Sequence, residues 1–373
     1  MPVVDAHEEH PDWRARAREL TEREILPQSS TIDRTDSIPA AVVEALGRSG
    51  LMGLTIPHDY GGSESRAREV VGVLEEVARG NAAVATLLSV HLSVAAAPIV
   101  TWGDADQKSR FLPAMAEGRK LGAFALTEPG AGSDTASLRT QYRTLDGGYR
   151  LDGSKMFITN GASADVVVTF ATHDATLGHR GVSAFLVEKG SPGYSVAQRL
   201  EKLGLRGSET TELVYDDLRL GRAARLGPEG KGLTVALKAL TDGRVGIAAC
   251  ALGVAQASLE ELIDAARERP SDELRGLVAR AYTDVAAARA LVQHAAGLKD
   301  HGASFVEEAS AAKLLAAEAA VRVANLAFEA RGCEAGILGA RAGQLLRDAR
   351  VFPIVEGTTE IQELILGRAI LGR

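Results

Sequence analysis

Four short segments hold residues whose types and spacing suit chemistry. In Pro353-Ile354-Val355-Glu356-Gly357-Thr358-Thr359, an acid stands between an apolar run and a glycine. A carboxylate buried there would be desolvated, its pKa raised, and it would suit proton abstraction as a general base. Taken alone, Glu356 also reads as a solvated loop acid. Thr358 or Thr359 is placed to cap a helix that follows. In Thr127-Glu128-Pro129-Gly130-Ala131-Gly132-Ser133-Asp134, two glycines let backbone approach a ligand closely, and successive N–H groups can face an anion. The segment lacks the third glycine of a GxGxxG fingerprint and the Gly-Lys-Thr of a P-loop, so alone it reads as an ordinary strand turn. Lys155-Met156-Phe157-Ile158-Thr159-Asn160-Gly161 offers an aromatic, a hydroxyl and a turn that could line a planar cofactor; alone it is a buried strand with a turn. In Thr241-Asp242-Gly243-Arg244 a glycine interrupts a long helical pattern. Such a glycine costs about 1 kcal/mol against alanine, which points to close approach of a ligand or a helix. The plain alternative is helix packing with an exposed ion pair.

The eight histidines form no HExxH or i, i+4 pair, and no GxSxG elbow occurs, so a metal site is unsupported. Cys250 and Cys333 lie in alanine-rich helical runs and read as core residues.

These segments need elements to position them. Residues 1–120 read as an α-helical domain, with apolar residues at i, i+3 and i+4 in Pro39–Leu46, Ala67–Ala78 and Gln107–Ala116, and alternating charge in Arg14–Glu24. Residues 121–225 read as a small β-barrel domain with strands at Gly122–Thr127, Leu138–Thr144, Asp165–Ala171, Val182–Glu188, Tyr194–Arg199 and Thr211–Leu220. Turns are placed at Asp146-Gly147-Gly148, Asp152-Gly153 and Ser191-Pro192-Gly193. Residues 226–373 read as a C-terminal four-helix bundle: Leu233–Ala265, Glu273–Leu298, Ser304–Arg331 and Thr359–Leu371. The fold is thus mainly α with a β middle domain.

A chain of 373 residues suggests two or three domains, and 46% hydrophobic with 24% charged residues is a globular mix. The net charge of −7 argues against a nucleic-acid partner. Two isolated cysteines make no disulfide framework, which points to a reducing cytoplasm. The acidic start MPVVDAHEEH does not read as a signal peptide. The longest apolar stretch, Val84–Val100, contains Ser89, His91 and Ser93 and reads as a buried helix, not a membrane span.

Taken in order, ALTEPGAGSD, MFITNG, TDGRVGIAACALGVAQASLE and RDARVFPIVEGTTEIQ, with SVHLSVAAAPI nearer the N-terminus, resemble the acyl-CoA dehydrogenase family over nearly the whole chain. The resemblance implies FAD, held in extended form between middle and C-terminal domains and touching a neighbouring subunit of a homodimer or homotetramer. It implies a flavin lined by Phe124, Leu126, Thr127, Gly132 and Ser133, with Phe157, Ile158 and Thr159 packed on it and Thr358 and Glu360 in contact with FAD. Ser133, Asp242, Arg244 and Gly357 would face the thioester, an acyl-CoA or acyl-carrier-protein substrate. Glu356 matches the position of the catalytic base, which takes the α-proton while a β-hydride moves to flavin N5. An electron-transfer flavoprotein would receive the electrons.

Two stretches that hold the adenosine end of FAD in that family differ here. Arg267-Glu268-Arg269-Pro270 lacks the Phe-Gly, leaving Arg269 to meet the pyrophosphate, and Phe328-Glu329-Ala330-Arg331-Gly332 replaces Gln-x-x-Gly-Gly. Val355 stands where the family has Tyr. This divergence suggests a carrier-protein substrate in a specialised biosynthetic pathway; the rival readings are a flavin oxidase of the same fold and a non-catalytic member of it that binds a partner or DNA.

Overall fold

The computed structural model describes residues 12–372; the first eleven residues of the N-terminal zone and Arg373 lie outside them. Seven α-helices come first among the described residues: α1 (Trp13–Leu20), α2 (Ser29–Thr35), α3 (Ala40–Arg48), α4 (Ala67–Gly80), α5 (Ala82–Val90), α6 (Ala97–Trp102) and α7 (Ala105–Ala116). Asn81 ends α4 and caps α5, its side chain accepting the Val84 N–H. Pro98 has no N–H to give Val94, and the helix widens to a π turn over His91–Ala96 before α6 resumes. The Arg14–Glu24 segment likewise is α-helical only to Leu20, then widens over Thr21–Ile25.

The middle region is one sheet of β1 (Gly122–Ala125), β2 (Gln141–Leu145), β3 (Gly148–Thr159), β4 (Val166–Thr172), β5 (Val182–Glu188), β6 (Tyr194–Arg199), β7 (Thr210–Gly221) and β8 (Arg225–Leu226). Its order is β6-β7-β3-β2-β4-β5-β8, with β1 parallel to β4. The halves β6-β7-β3-β2 and β1-β4-β5-β8 join through one residue pair, Gln141 with Thr172. β3 corrects the sequence reading. Asp152-Gly153, expected as a turn, is a bulge inside this strand, where Gly153 has φ +147° and lies against Thr140. A second irregularity between Lys155 and Ile158 turns Phe157 to φ +61° and leaves it 64% exposed. Bulges re-aim side chains in this way beside functional sites.

The C-terminal region holds α8 (Gly232–Glu268), α9 (Asp272–Asp300), α10 (Val306–Arg331), α11 (Arg341–Ala349) and α12 (Thr359–Leu371). Helices α8, α9 and α10 pack on one another, α11 joins them against α8 and α10, and α12 lies on α10. Alanines such as Ala248, Ala255, Ala312, Ala316 and Ala320 fill these interfaces and let the backbones approach closely. Helix α11 has no counterpart among the sequence-predicted helices. Cys250 is buried as expected, but Cys333 is exposed: α10 ends at Arg331, and a short 3-10 turn from Gly332 carries Cys333 to the surface. Ala82–Trp102 and α8 are long and apolar enough to cross a membrane, yet 83% and 78% of their apolar windows are buried inside the protein.

Candidate active site

Between α11 and α12 the chain makes a strained turn. Glu356 and Gly357 are both left-handed, at φ +51° and +94°. A non-glycine residue there costs about 1–2 kcal/mol, so neighbouring groups must hold it. They do so from two helices. Lys313 of α10 donates from Nζ to Gly357 O at 2.7 Å and Pro353 O at 3.3 Å. Gln362 of α12, itself fully buried, donates from Nε2 to Gly357 O at 3.0 Å and Glu356 O at 3.5 Å.

The turn drives the Glu356 carboxylate against α8. A Cβ at Gly243 would lie 2.1 Å from Glu356 Oε2, so the missing side chain is the space the carboxylate occupies. That answers why a glycine interrupts a long helix. Oε2 is buried without a hydrogen-bond partner, as is Nε of the neighbouring Arg244. Burial pushes the Glu356 carboxyl up to about 7, while Lys313 and Arg244 pull against that rise. Burial also lowers the Arg244 guanidinium, opposed by Glu356.

Stability should follow from this shift. An unfolded glutamate ionises near 4.5 and the folded one near 7. Between those values the folded chain keeps a proton that the unfolded chain releases, so stability falls as pH rises through that window. Glu356→Gln removes this penalty. Thermal melts should show E356Q above wild type at pH 8 and level with it near pH 4.

A second buried pair fixes the glycine-containing loop. Lys155 is 0% exposed and donates from Nζ to Glu128 Oε1 at 2.8 Å and Leu126 O at 3.1 Å. The Glu128 carboxylate also accepts the Arg139 and Thr140 N–H groups. Burial would raise the Glu128 carboxyl, but Lys155 and these donors bring it below its usual range; burial lowers Lys155 to about 8. Met156 donates to Thr127 O at 2.8 Å. Residues 126–128 and 155–159 therefore form one unit, with Gly132 and Ser133 exposed on the loop beyond it. Breaking a buried pair from one side leaves a stranded charge. Lys155→Met should lower unfolding stability by about 3 kcal/mol in a denaturant titration.

The two units meet through Phe124. Its ring contacts Phe170 edge-on at 5.0 Å and joins an apolar cluster of Val90, Val94 and Ala239. Val94 Cγ1 in turn borders the Gly243 position at 3.1 Å. Asn160 donates to Leu87 O and Gly122 O, tying the end of β3 to α5 and β1. N-terminal, middle and C-terminal elements thus converge, with Ile158 buried and Thr127, Thr159 and Glu356 half-buried where they meet.

Three other sequence-predicted residues make contacts of their own. Asp242 pairs with Lys299 at 2.9 Å, in line with the ion-pair alternative for its segment. Thr358 precedes α12 but makes no side-chain cap; its nearby hydroxyl favours the ionised form of the exposed Glu360 carboxyl and holds it below its usual range. Arg269 follows the last residue of α8, about 39 Å along the helix from Gly243, and donates to Ala330 O. It cannot share a site with Glu356 of its own chain.

Sequence reasoning missed Lys313, Gln362 and the Glu128–Lys155 pair. Lys313 did leave a signal: it is a lysine on the apolar stripe Ala309, Ala312, Ala316 and Ala320 of α10.

Known proteins share this fold. Residues 7–119, 123–218 and 230–371 match the N-terminal, middle and C-terminal domains of acyl-CoA dehydrogenase. An acyl-CoA dehydrogenase of Bacillus subtilis is 43% identical over 367 residues, covering 96% of this chain and 97% of the relative. An acryloyl-CoA reductase (NADH) of Anaerotignum propionicum is 39% identical over 368 residues, covering 96% and 93%. The structure of butyryl-CoA dehydrogenase from Megasphaera elsdenii superimposes with a TM-score of 0.94 at 34% identity, over 96% of this chain and 97% of that one. With three domain matches in order and identity near 40% along almost its full length, the chain belongs to the acyl-CoA dehydrogenase family.

Proposed function

We propose that the protein dehydrogenates acyl-CoA thioesters at Cα and Cβ, with FAD as prosthetic group and Glu356 as base. The observation that carries this is the Glu356 carboxylate: buried, unpartnered at Oε2 and poised near pH 7. A base with that pKa is ionised in useful measure at neutral pH and still basic enough to take a proton.

The residues present fit a flavin. An exposed Phe157 ring projects from a bulge beside the half-buried Thr159 and the unit carrying Thr127, next to a convergence of all three regions. Added side chains at Gly130 and Gly132 would meet nothing within 4 Å, so the loop presents bare backbone to a ligand. Gln362 Oε1 and Arg244 Nε are buried without partners. Phe124, Leu126, Thr127, Gly132, Ser133, Phe157, Ile158, Thr159, Thr358 and Glu360 hold FAD from one chain. The remoteness of Arg269 supports its service to a second copy, in a homodimer or homotetramer. FAD, when bound, would supply the two-electron acceptor for the β-hydride.

The chain's own residues supply the rest. Ser133, Asp242, Arg244 and Gly357 position the thioester. Glu356 takes the α-proton, which places negative charge on the thioester carbonyl oxygen. Among the described residues no acceptor faces the Glu356 N–H, which leaves this donor for that oxygen. Its place on a pinned turn makes the donor preorganised.

CoA is favoured over a carrier protein because the 43% identical relative is an acyl-CoA enzyme. An electron-transfer flavoprotein takes the electrons onward. Incubating the protein with matched acyl-CoA and acyl-carrier thioesters and an artificial electron acceptor tests this. Mass spectrometry should show loss of two hydrogens from the CoA ester first. Preferential oxidation of the carrier-bound ester contradicts the CoA assignment, and peroxide formation in air at the turnover rate contradicts the separate acceptor.

A further inference from the structure

Lys313 is a lysine with no exposed surface, set among alanines on α10. Burying an ammonium is costly unless its donors and its charge are both used. Its donors reach two carbonyls, Pro353 O and Gly357 O, which lie on either side of Glu356 in the chain. Among the described residues its ammonium bonds only these carbonyls, and Glu356 Oε2 has no partner. The ammonium therefore holds the backbone on both sides of the base and forms no ion pair with its carboxylate.

We propose that Lys313 is a positioning residue for the base: its ammonium ties down the backbone on both sides of Glu356 and supplies positive potential that favours the ionised carboxylate. This rests on Glu356 being the base. The hydrogen bonds alone would suit any donor; the charge is what an ammonium adds. The electrostatics agree. Burial lowers Lys313 to about 8, Glu356 and Glu360 draw it back up, and Arg244 opposes them. Lys313 is the foremost group restraining the upward shift of Glu356, ahead of Arg244. The groups facing Glu356 are Arg244 and Cys250 on α8 and Lys313 on α10; burial raises the Cys250 thiol, which stays neutral. Glu360 on α12 faces Lys313.

Two variants separate strut from charge. Lys313→Gln keeps a donor and removes the charge; Lys313→Arg keeps the charge. In the full chain without substrate, the infrared carboxyl band that E356Q abolishes is titrated. The wild-type midpoint is expected near 7. K313Q should raise it by about one unit, and K313R should leave it within about 0.3 unit. The acid limb of kcat/KM should follow, so that K313Q loses about tenfold at pH 6 relative to its own plateau beyond the wild-type loss. An unmoved midpoint in folded K313Q overturns the proposal. If K313Q does not fold, K313R decides: a midpoint raised by about one unit despite the retained charge contradicts it. Turnover surviving in E356Q would instead remove the base assignment itself. An inactive E356Q with an unmoved K313Q midpoint would remove only the role of Lys313.

Discussion

Replacing Glu356 by Gln should slow flavin reduction by acyl-CoA about a thousandfold to ten-thousandfold while leaving FAD content and ligand binding close to wild type. The amide matches the carboxyl in shape, so the turn pinned by Lys313 and Gln362 should persist. What it lacks is basicity, and a positioned base contributes about 10²–10⁴-fold. The larger figure is expected because the neighbouring carboxylates are already engaged: Glu128 by Lys155 and two backbone donors, and Asp242 by Lys299. In wild type, kcat/KM should fall about tenfold for each pH unit below about 7, as the carboxyl takes up its proton. Stopped-flow reduction of the variant checks the first, and a pH series the second.

The second large effect concerns a residue with no functional group. Gly243→Ala should cut kcat/KM about a hundredfold, the scale of a 1 Å misplacement at a reacting centre. The added methyl would stand 2.1 Å from Glu356 Oε2 and 3.1 Å from Val94 Cγ1, so the carboxylate must move. Alanine favours a helix interior by about 1 kcal/mol over glycine, which offsets part of the crowding. Activity should therefore fall far more than melting temperature. A variant melting near wild type with normal kcat/KM would show that the carboxylate does not need its place against α8.

Much of this was legible in the residues. Helical spacing gave α3, α4, α7 and the long C-terminal helices to within a few residues, because amphipathic periodicity persists over many turns. Short β-prone runs separated by turn residues gave β4 to β7, of which β4 and β5 are buried along nearly their whole length. β3 was harder, since Asp152-Gly153 carries turn residues but serves as a bulge, a choice made by Thr140 packing against Gly153. Helix α11 is short, and its apolar residues are few. At the site, Glu356 and Gly243 each stood out by local context, but their contact links residues more than a hundred positions apart and has no local trace. Lys313 and Gln362 act through backbone carbonyls of another segment, which no motif encodes. Arg269 shows the same limit in reverse: it follows a motif region, yet the length of α8 removes it from its own chain's site.

The central claim is that Glu356 and a bound flavin together oxidise an acyl-CoA thioester. The most direct test is an anaerobic titration of the purified protein with a graded series of acyl-CoA esters, following the visible flavin band in wild type and E356Q. Bleaching of wild type by at least one ester, with E356Q binding that ester but staying yellow, is the predicted result. A yellow wild type that no acyl-CoA bleaches, or an E356Q that bleaches at the wild-type rate, would contradict it.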